Sequence, residues 1–166
     1  MVPGMGIGSL HCVVLDVGDL ELAEKFWSQV TGLEVIGSNY AERFSWLGTP
    51  EPWHAEMILQ SRPTIKGGEA NRCHVDITPA EGVDAAIEAT VAIGGTVKKE
   101  PSIYPRPGSV PDRRPLIDWA VMQDPFGNEF CLVHDLTRDQ SDAVLAAAEA
   151  GVSDDHGLRQ AAGVTL

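Results

Sequence analysis

The stretch "DPFGNEFCLV", residues 124 to 133, decides how the rest of the chain is read. Asp-Pro and Phe-Gly-Asn are turn chemistry: proline presets one backbone angle, and glycine and asparagine tolerate the left-handed region. The residues that follow read as a strand. Side chains alternate along a strand, so Glu129, Cys131 and Val133 share one face while Phe130 and Leu132 share the other. One face is apolar and suited to packing. The other carries a carboxylate and a thiol.

Working outward, the same alternation recurs. "HCVVLDV" (11–17) is a strand, with Val13, Leu15 and Val17 on the packing face and Cys12, Val14 and Asp16 opposite. Asp19 is a good N-cap for "LELAEKFWSQVT", where Leu22, Phe26 and Val30 recur at helical spacing and Glu21 and Lys25 form an i,i+4 pair. Gly32 stops that helix. "LEVIG" (33–37), "RFSWLG" (43–48) and "AEMILQS" (55–61) read as strands, the last with Met57 and Leu59 packed and Glu56, Ile58 and Gln60 opposite.

After a polar, Gly-containing linker the order repeats. "CHVDIT" (73–78) is a strand with His74, Asp76 and Thr78 on the polar face, and Cys73 on the packing face. "EGVDAAIEATVAIG" (81–94) is a helix with Val83, Ile87 and Val91 on one side. "GTVKKE" is a strand, and "PSIYPRPGSVPDRRP" (101–115) is a Pro-rich loop. "LIDWAVMQ" and "EFCLV" close the repeat as strands. Gly94 follows Gly32, and His74 follows Cys12, at the same offset of 62 residues. Trp46 and Trp119 occupy comparable third elements.

The predicted organisation is therefore a flexible leader (1–9), a first βαβββ module (10–61), a linker (62–72), a second βαβββ module (73–134) and a C-terminal helix and tail (135–166). The helix is expected in "TRDQSDAVLAAAEAG", which opens with a Thr-x-x-Gln capping pattern and ends at Gly151. Residues 152–166 are expected to be loosely held.

Composition narrows the function. An apolar fraction of 43% over 166 residues is enough for a core. A net charge of −12 repels phosphate backbones and anionic lipid, so neither nucleic acid nor membrane is an expected partner. No apolar run is long enough to span a bilayer, and "MVPGMGIGSL" lacks the basic and apolar regions of a signal peptide. Three cysteines without metal-type spacing suit reduced thiols in a cytoplasmic protein. No GxSxG elbow, HExxH helix or phosphate loop is present.

A paired βαβββ chain with "HVDI" opening its second half and "DPFGNEFCLV" near its end resembles the vicinal oxygen chelate superfamily. That group includes glyoxalase I, extradiol dioxygenases and the fosfomycin- and bleomycin-resistance proteins. The likeness is strongest to glyoxalase-like members with a "DPxGNEFC" ending and covers about residues 10–134. It implies an α+β fold in which two βαβββ modules form a curved mixed-sheet cleft, to which a C-terminal helix is added. It also implies a homodimer and a small-molecule ligand.

Metal-dependent members of the superfamily place one ligand on each of four strands. The resemblance puts these positions at Cys12, at Gln60 (or Glu56 in another register), at His74, and at Cys131, where a metal-binding relative would carry Glu. Such a set is a poor fit to a hard oxygen-and-imidazole site. No cofactor is therefore expected, and a divalent metal on His74, Glu129, Glu56 and Gln60 stays open as the alternative. His74 and Glu129 are the candidate catalytic groups, His74 as an acid/base beside Asp76. Cys12, Trp46, Glu56, Gln60, Asp76, Trp119, Cys131 and Arg106 are the candidate ligand contacts. Trp46, Trp53 and Trp119 are either stacking walls or core, and Arg106, Arg113 and Arg114 either clamp a carboxylate or balance an acidic surface.

The expected function is binding of a small organic molecule, with metal-independent lyase or isomerase chemistry. The alternatives are a metal-dependent isomerase or dioxygenase, and a resistance protein that sequesters a drug without chemistry.

Overall fold

A computed structural model describes residues 11–41, 43–62, 74–111 and 113–165. The predicted leader, most of the linker and Cys73 lie outside the described residues. The chain divides into two compact units, one carrying the first helix and four strands and the other everything from the fifth strand on. Among the described residues no helix is long and apolar enough to cross a membrane.

The first unit runs β1 (Val13–Val17), α1 (Leu20–Thr31), β2 (Glu34–Asn39), β3 (Phe44–Thr49) and β4 (His54–Ser61). Its sheet has the order β1-β4-β3-β2, with β1 parallel to β4 and the other pairs antiparallel. Asp19 caps α1 by accepting from the Leu22 amide at 2.8 Å, and Lys25 pairs with Glu21 at 2.8 Å. Gly32 ends the helix at φ 73°, its amide bonded to the Ser28 carbonyl. The buried face of α1 is Leu20, Ala23, Phe26 and Trp27. The expected stripe of Leu22, Phe26 and Val30 is corrected: Leu22 is 44% exposed. Each step of four residues advances about 40° round a helix, so a pure i,i+4 series drifts off the packed face.

The second unit runs β5 (Val75–Ile77), α2 (Val83–Ala92), β6 (Thr96–Tyr104), β7 (Ile117–Gln123), β8 (Glu129–Asp135), α3 (Arg138–Glu149) and α4 (Asp155–Ala162). Its sheet order, β5-β8-β7-β6, repeats that of the first unit strand for strand, again with one parallel pair. Gly94, the counterpart of Gly32, also has a positive φ, 99°. The fold class is therefore α+β with two βαβββ modules. On α2 the same drift occurs as on α1: Val83 and Thr90 are buried and Val91 is exposed, so the face follows 83, 87, 90 rather than 83, 87, 91.

Two further expectations are corrected here. The loop expected from residue 101 begins later, because β6 continues through Pro101 to Tyr104. The β6 strand is an edge strand and its register shifts between Lys99 and Ser102, which is where a sheet tolerates a residue without an amide proton. The tail expected to be loose forms α4, capped by Asp154 on the Gly157 amide at 2.8 Å. Leu158 and Ala162 of α4 join Ile103 and Val144 in a buried cluster. Arg159 is buried too: its Nε bonds Asp118 Oδ1 at 2.7 Å and its NH2 bonds Asp84 Oδ1 at 2.6 Å. Ahead of it, α3 starts with the expected box, Thr137 and Gln140 each accepting from the other's backbone amide.

Candidate active site

The turn that ends "DP" and "FGN" is organised by one side chain. Asp124 is buried, and its Oδ1 accepts from the amides of Phe126 (2.9 Å) and Asn128 (2.7 Å) while its Oδ2 accepts from the Asn128 side chain (2.8 Å). Gly127 supplies the positive φ, 84°. This closes β7 onto β8 and fixes the pairing of Gln123 with Glu129, and with it the face on which each later residue of β8 lies.

That register builds rows of side chains across the sheet. Directly paired residues point to the same side. Asp76 pairs with Cys131, Cys131 with Val121, and Val121 with Lys99, a row that crosses all four strands. The next row pairs Val133 with Trp119 and Trp119 with Ser102. The opposite face carries Phe130, Leu132, Ala120 and Met122, all buried. The chemistry is therefore sorted onto one open side of the second sheet.

His74, just ahead of β5, completes this group. Its Nε2 lies 3.3 Å from Asp76 Oδ1, both side chains being about half exposed. The ligating atoms of His74, Asp76 and Cys131 all lie within 4.8 Å of one another. Glu129 is close to this group but engaged, as the partner of Lys98 Nζ in an ion pair. Lys99 Nζ stands 4.2 Å from the centre of the Trp119 ring and donates to Ser102 Oγ. Tyr104 meets the Trp119 ring edge to face at 6.3 Å.

Burial pushes the Cys131 thiol up from 9.0 to about 11, and the Asp76 charge, a hydrogen bond to Asp76 and the Glu129 charge add to it, against a smaller opposing pull from Lys99. The thiol is thus protonated at neutral pH and serves as a weak donor to Asp76, not as a nucleophile. Alkylation followed by peptide mass mapping is expected to spare Cys131 at pH 8 in the folded chain and to reach it in urea. Labelling of folded Cys131 at pH 8 at the unfolded rate would contradict this environment. The linkage has a definite sign. Between about 9 and 11 the unfolded chain has lost a proton that the folded chain keeps, so stability falls as pH rises through that window. Cys131→Ala removes that part of the decline.

Several of the other candidates have partners within their own units. Arg106 pairs with Asp155 at 2.7 Å, and Arg114 bonds Ser141 Oγ at 3.0 Å and pairs with Asp142, so these two arginines tie the Pro-containing loop to α3 and α4. In the first unit, β1 and β4 put Asp16 opposite Gln60 and Val14 opposite Ile58 on one face. Gln60 Oε1 accepts from Arg62 at 3.3 Å, and Arg62 also pairs with Asp16 at 3.0 Å. Glu56 is exposed, Cys12 is half-buried one residue before β1, and Trp46 stacks on Phe44 at 6.3 Å. Trp53 is exposed. Lys98, Lys99 and Ser102 were not among the candidates read from the sequence. "KK" in a chain with only 12 basic residues was the available signal, but strand alternation alone does not say which lysine faces the histidine.

A family model for the glyoxalase-like domain matches residues 12–133. The chain belongs to the glyoxalase-like domain family. No curated protein sequence matches it. Among solved structures, this glyoxalase-like chain is similar to a glyoxalase/bleomycin resistance protein/dioxygenase family enzyme from Burkholderia phytofirmans PsJN. The two are 19% identical with a TM-score of 0.56, over 76% of this chain and 98% of that one. It is also similar to the fosfomycin resistance protein FosX from Listeria monocytogenes, at 19% identity and a TM-score of 0.54, over 76% and 91% of the two chains. A glyoxalase I mutant from Zea mays is 22% identical with a TM-score of 0.50, over 74% of this chain and 44% of that one. At these identities the likeness speaks for the fold.

Proposed function

We propose that this protein binds a small organic molecule over the open face of the second sheet, and that His74 moves a proton on it in a lyase- or isomerase-type reaction. The observation that carries this is the His74 to Asp76 contact, 3.3 Å, beside the protonated thiol of Cys131. Asp76 orients the imidazole by engaging Nε2. His74 can then take a proton from carbon next to a carbonyl and return it to the neighbouring atom, which leaves the atom count unchanged as an isomerase requires. Trp119 and the Val121 and Val133 side chains supply an apolar floor beside it, the mixture a ligand site needs. The "DPxGNEFC" ending supports membership of a glyoxalase-like subgroup, and the family likeness supports a homodimer. The free thiols of Cys12 and Cys131 favour a reducing, cytoplasmic setting.

Turnover of small carbonyl compounds tests the proton role. His74→Gln is expected to lower kcat by about 10²–10⁴-fold while leaving the fold intact, since the side chain is half exposed. Unchanged turnover in that variant removes His74 from the chemistry.

A second reading is favoured by the clustering of three donor atoms within 4.8 Å. His74, Asp76 and Cys131 fit a borderline-soft divalent ion such as zinc better than the oxygen-rich sites of harder ions. These three residues would hold it, and the ion would supply Lewis acidity. Elemental analysis of protein purified without chelator separates the readings: a stoichiometric metal favours the second, and its absence with full activity favours the first.

A further inference from the structure

Lys99 is a cation of the second unit that pairs with no carboxylate among the described residues, donating instead to the Ser102 hydroxyl. Its neighbour Lys98 is paired with Glu129, and Arg106, Arg114 and Arg159 of the same unit pair with Asp155, Asp142 and Asp118. Among the described residues no carboxylate lies within ion-pair distance of Lys99. The chain has twice as many acidic as basic residues, and an ammonium without a neighbouring acid is available to an anion from outside. Its position is held: the Trp119 ring lies 4.2 Å away on one side and the Ser102 hydroxyl accepts from it on another. The register then sets its distance from the reactive group. Lys99 and Cys131 are separated by one strand in the same row, about 10 Å at the usual strand spacing. Val121 stands between them in the row, with Trp119 one row along. The Trp119 Nε1 hydrogen is buried and has no acceptor among the described residues.

We propose that Lys99 and Trp119 form an anchoring subsite for an aromatic monocarboxylate, which sets the substrate class of the face carrying His74. The inference rests on the reading of that face as the ligand site. The carboxylate takes Lys99 Nζ and the Ser102 hydroxyl. The ring lies along Trp119 and the valines. The opposite end of a molecule about 10 Å long then reaches His74 and Cys131. One ammonium and one hydroxyl match a single negative charge, whereas a phosphate dianion would need more donors than this face offers and would sit in the field of a −12 chain.

The test is a titration of the isotopically labelled full chain, following the His74 imidazole and Trp119 indole signals. The probes are 3-phenylpropanoate, its neutral amide and 3-cyclohexylpropanoate. The acid is expected to bind about tenfold more tightly than the amide, as one charge-assisted hydrogen bond implies. Lys99→Gln, a change at an exposed side chain, should erase that preference without weakening the amide. Trp119→Leu should erase the preference for the phenyl over the cyclohexyl acid. Equal binding of acid and amide, or a preference that survives Lys99→Gln, overturns the proposal. If neutral fragments still shift the His74 signal in that case, the face remains the ligand site and only the anchor falls. If no fragment shifts His74, both fall.

Discussion

Arg159→Met is expected to destabilise the second unit by about 3–5 kcal/mol, read as a lower urea midpoint with an unchanged slope. Asp118 is fully buried, and its two oxygens are both taken by the guanidinium, at 2.7 Å and 3.0 Å. Removing the arginine leaves a carboxylate in the core without a counter-charge, which costs far more than the pair contributes when intact. The same guanidinium reaches Asp84 in the first turn of α2, so one residue of α4 is bonded to β7 and to α2. Asp118→Asn in the Arg159→Met background should recover much of the loss, because the buried charge goes with it. Arg138, which is exposed and 3.9 Å from Asp142, is the control, and its removal should leave the midpoint in place. A small effect from Arg159→Met would mean that α4 is not anchored as described.

Trp27→Ala is expected to cost the first unit about 3–5 kcal/mol, against a loss within about 0.5 kcal/mol for Leu22→Ala. Trp27 has no exposed surface and meets the Phe26 ring edge to face at 5.5 Å, within the face that α1 turns to its sheet. Alanine there leaves a cavity that the helix cannot collapse, since Asp19 and Gly32 fix both of its ends. Leu22 lies on the outer side of the same helix. The contrast separates the observed packing face from the one the leucine and valine spacing suggests. Similar losses from the two substitutions would restore the latter.

The strands were legible because their two faces differ chemically. Val13, Leu15, Met57, Leu59, Phe130 and Leu132 mark the packed side by strict alternation, and burial follows that alternation in β4 and β7 in particular. The helices were legible at their ends, through Asp19, Gly32, Thr137 and Gln140, but less so in their faces. An i,i+4 series and an i,i+3 series share residues, and only the sheet beneath decides between them. The α4 helix was missed for a different reason. "DDHGLRQAAG" holds a glycine in its first turn, and the partners that bury its arginine, Asp118 and Asp84, lie 41 and 75 residues away in sequence.

The site shows the same division. His74, Asp76 and Cys131 were placed on one side of their strands by alternation, and strand pairing brings them together. Lys99 escaped notice because its face depends on the shift in register along β6, which no local pattern announces. Arg106, placed by sequence in a loop suited to clamping a ligand, is turned to Asp155 instead, a partner that exists only once α4 has docked.

An electron-density map from crystals of the full chain soaked with small carbonyl compounds tests the central claim most directly. The expected result is an organic molecule lying on the open face of the second sheet, with an oxygen or an acidic carbon within hydrogen-bond reach of His74 and with Asp76 still holding the imidazole. His74, Asp76 and Cys131 found apart, or every bound molecule found away from that face, would contradict it.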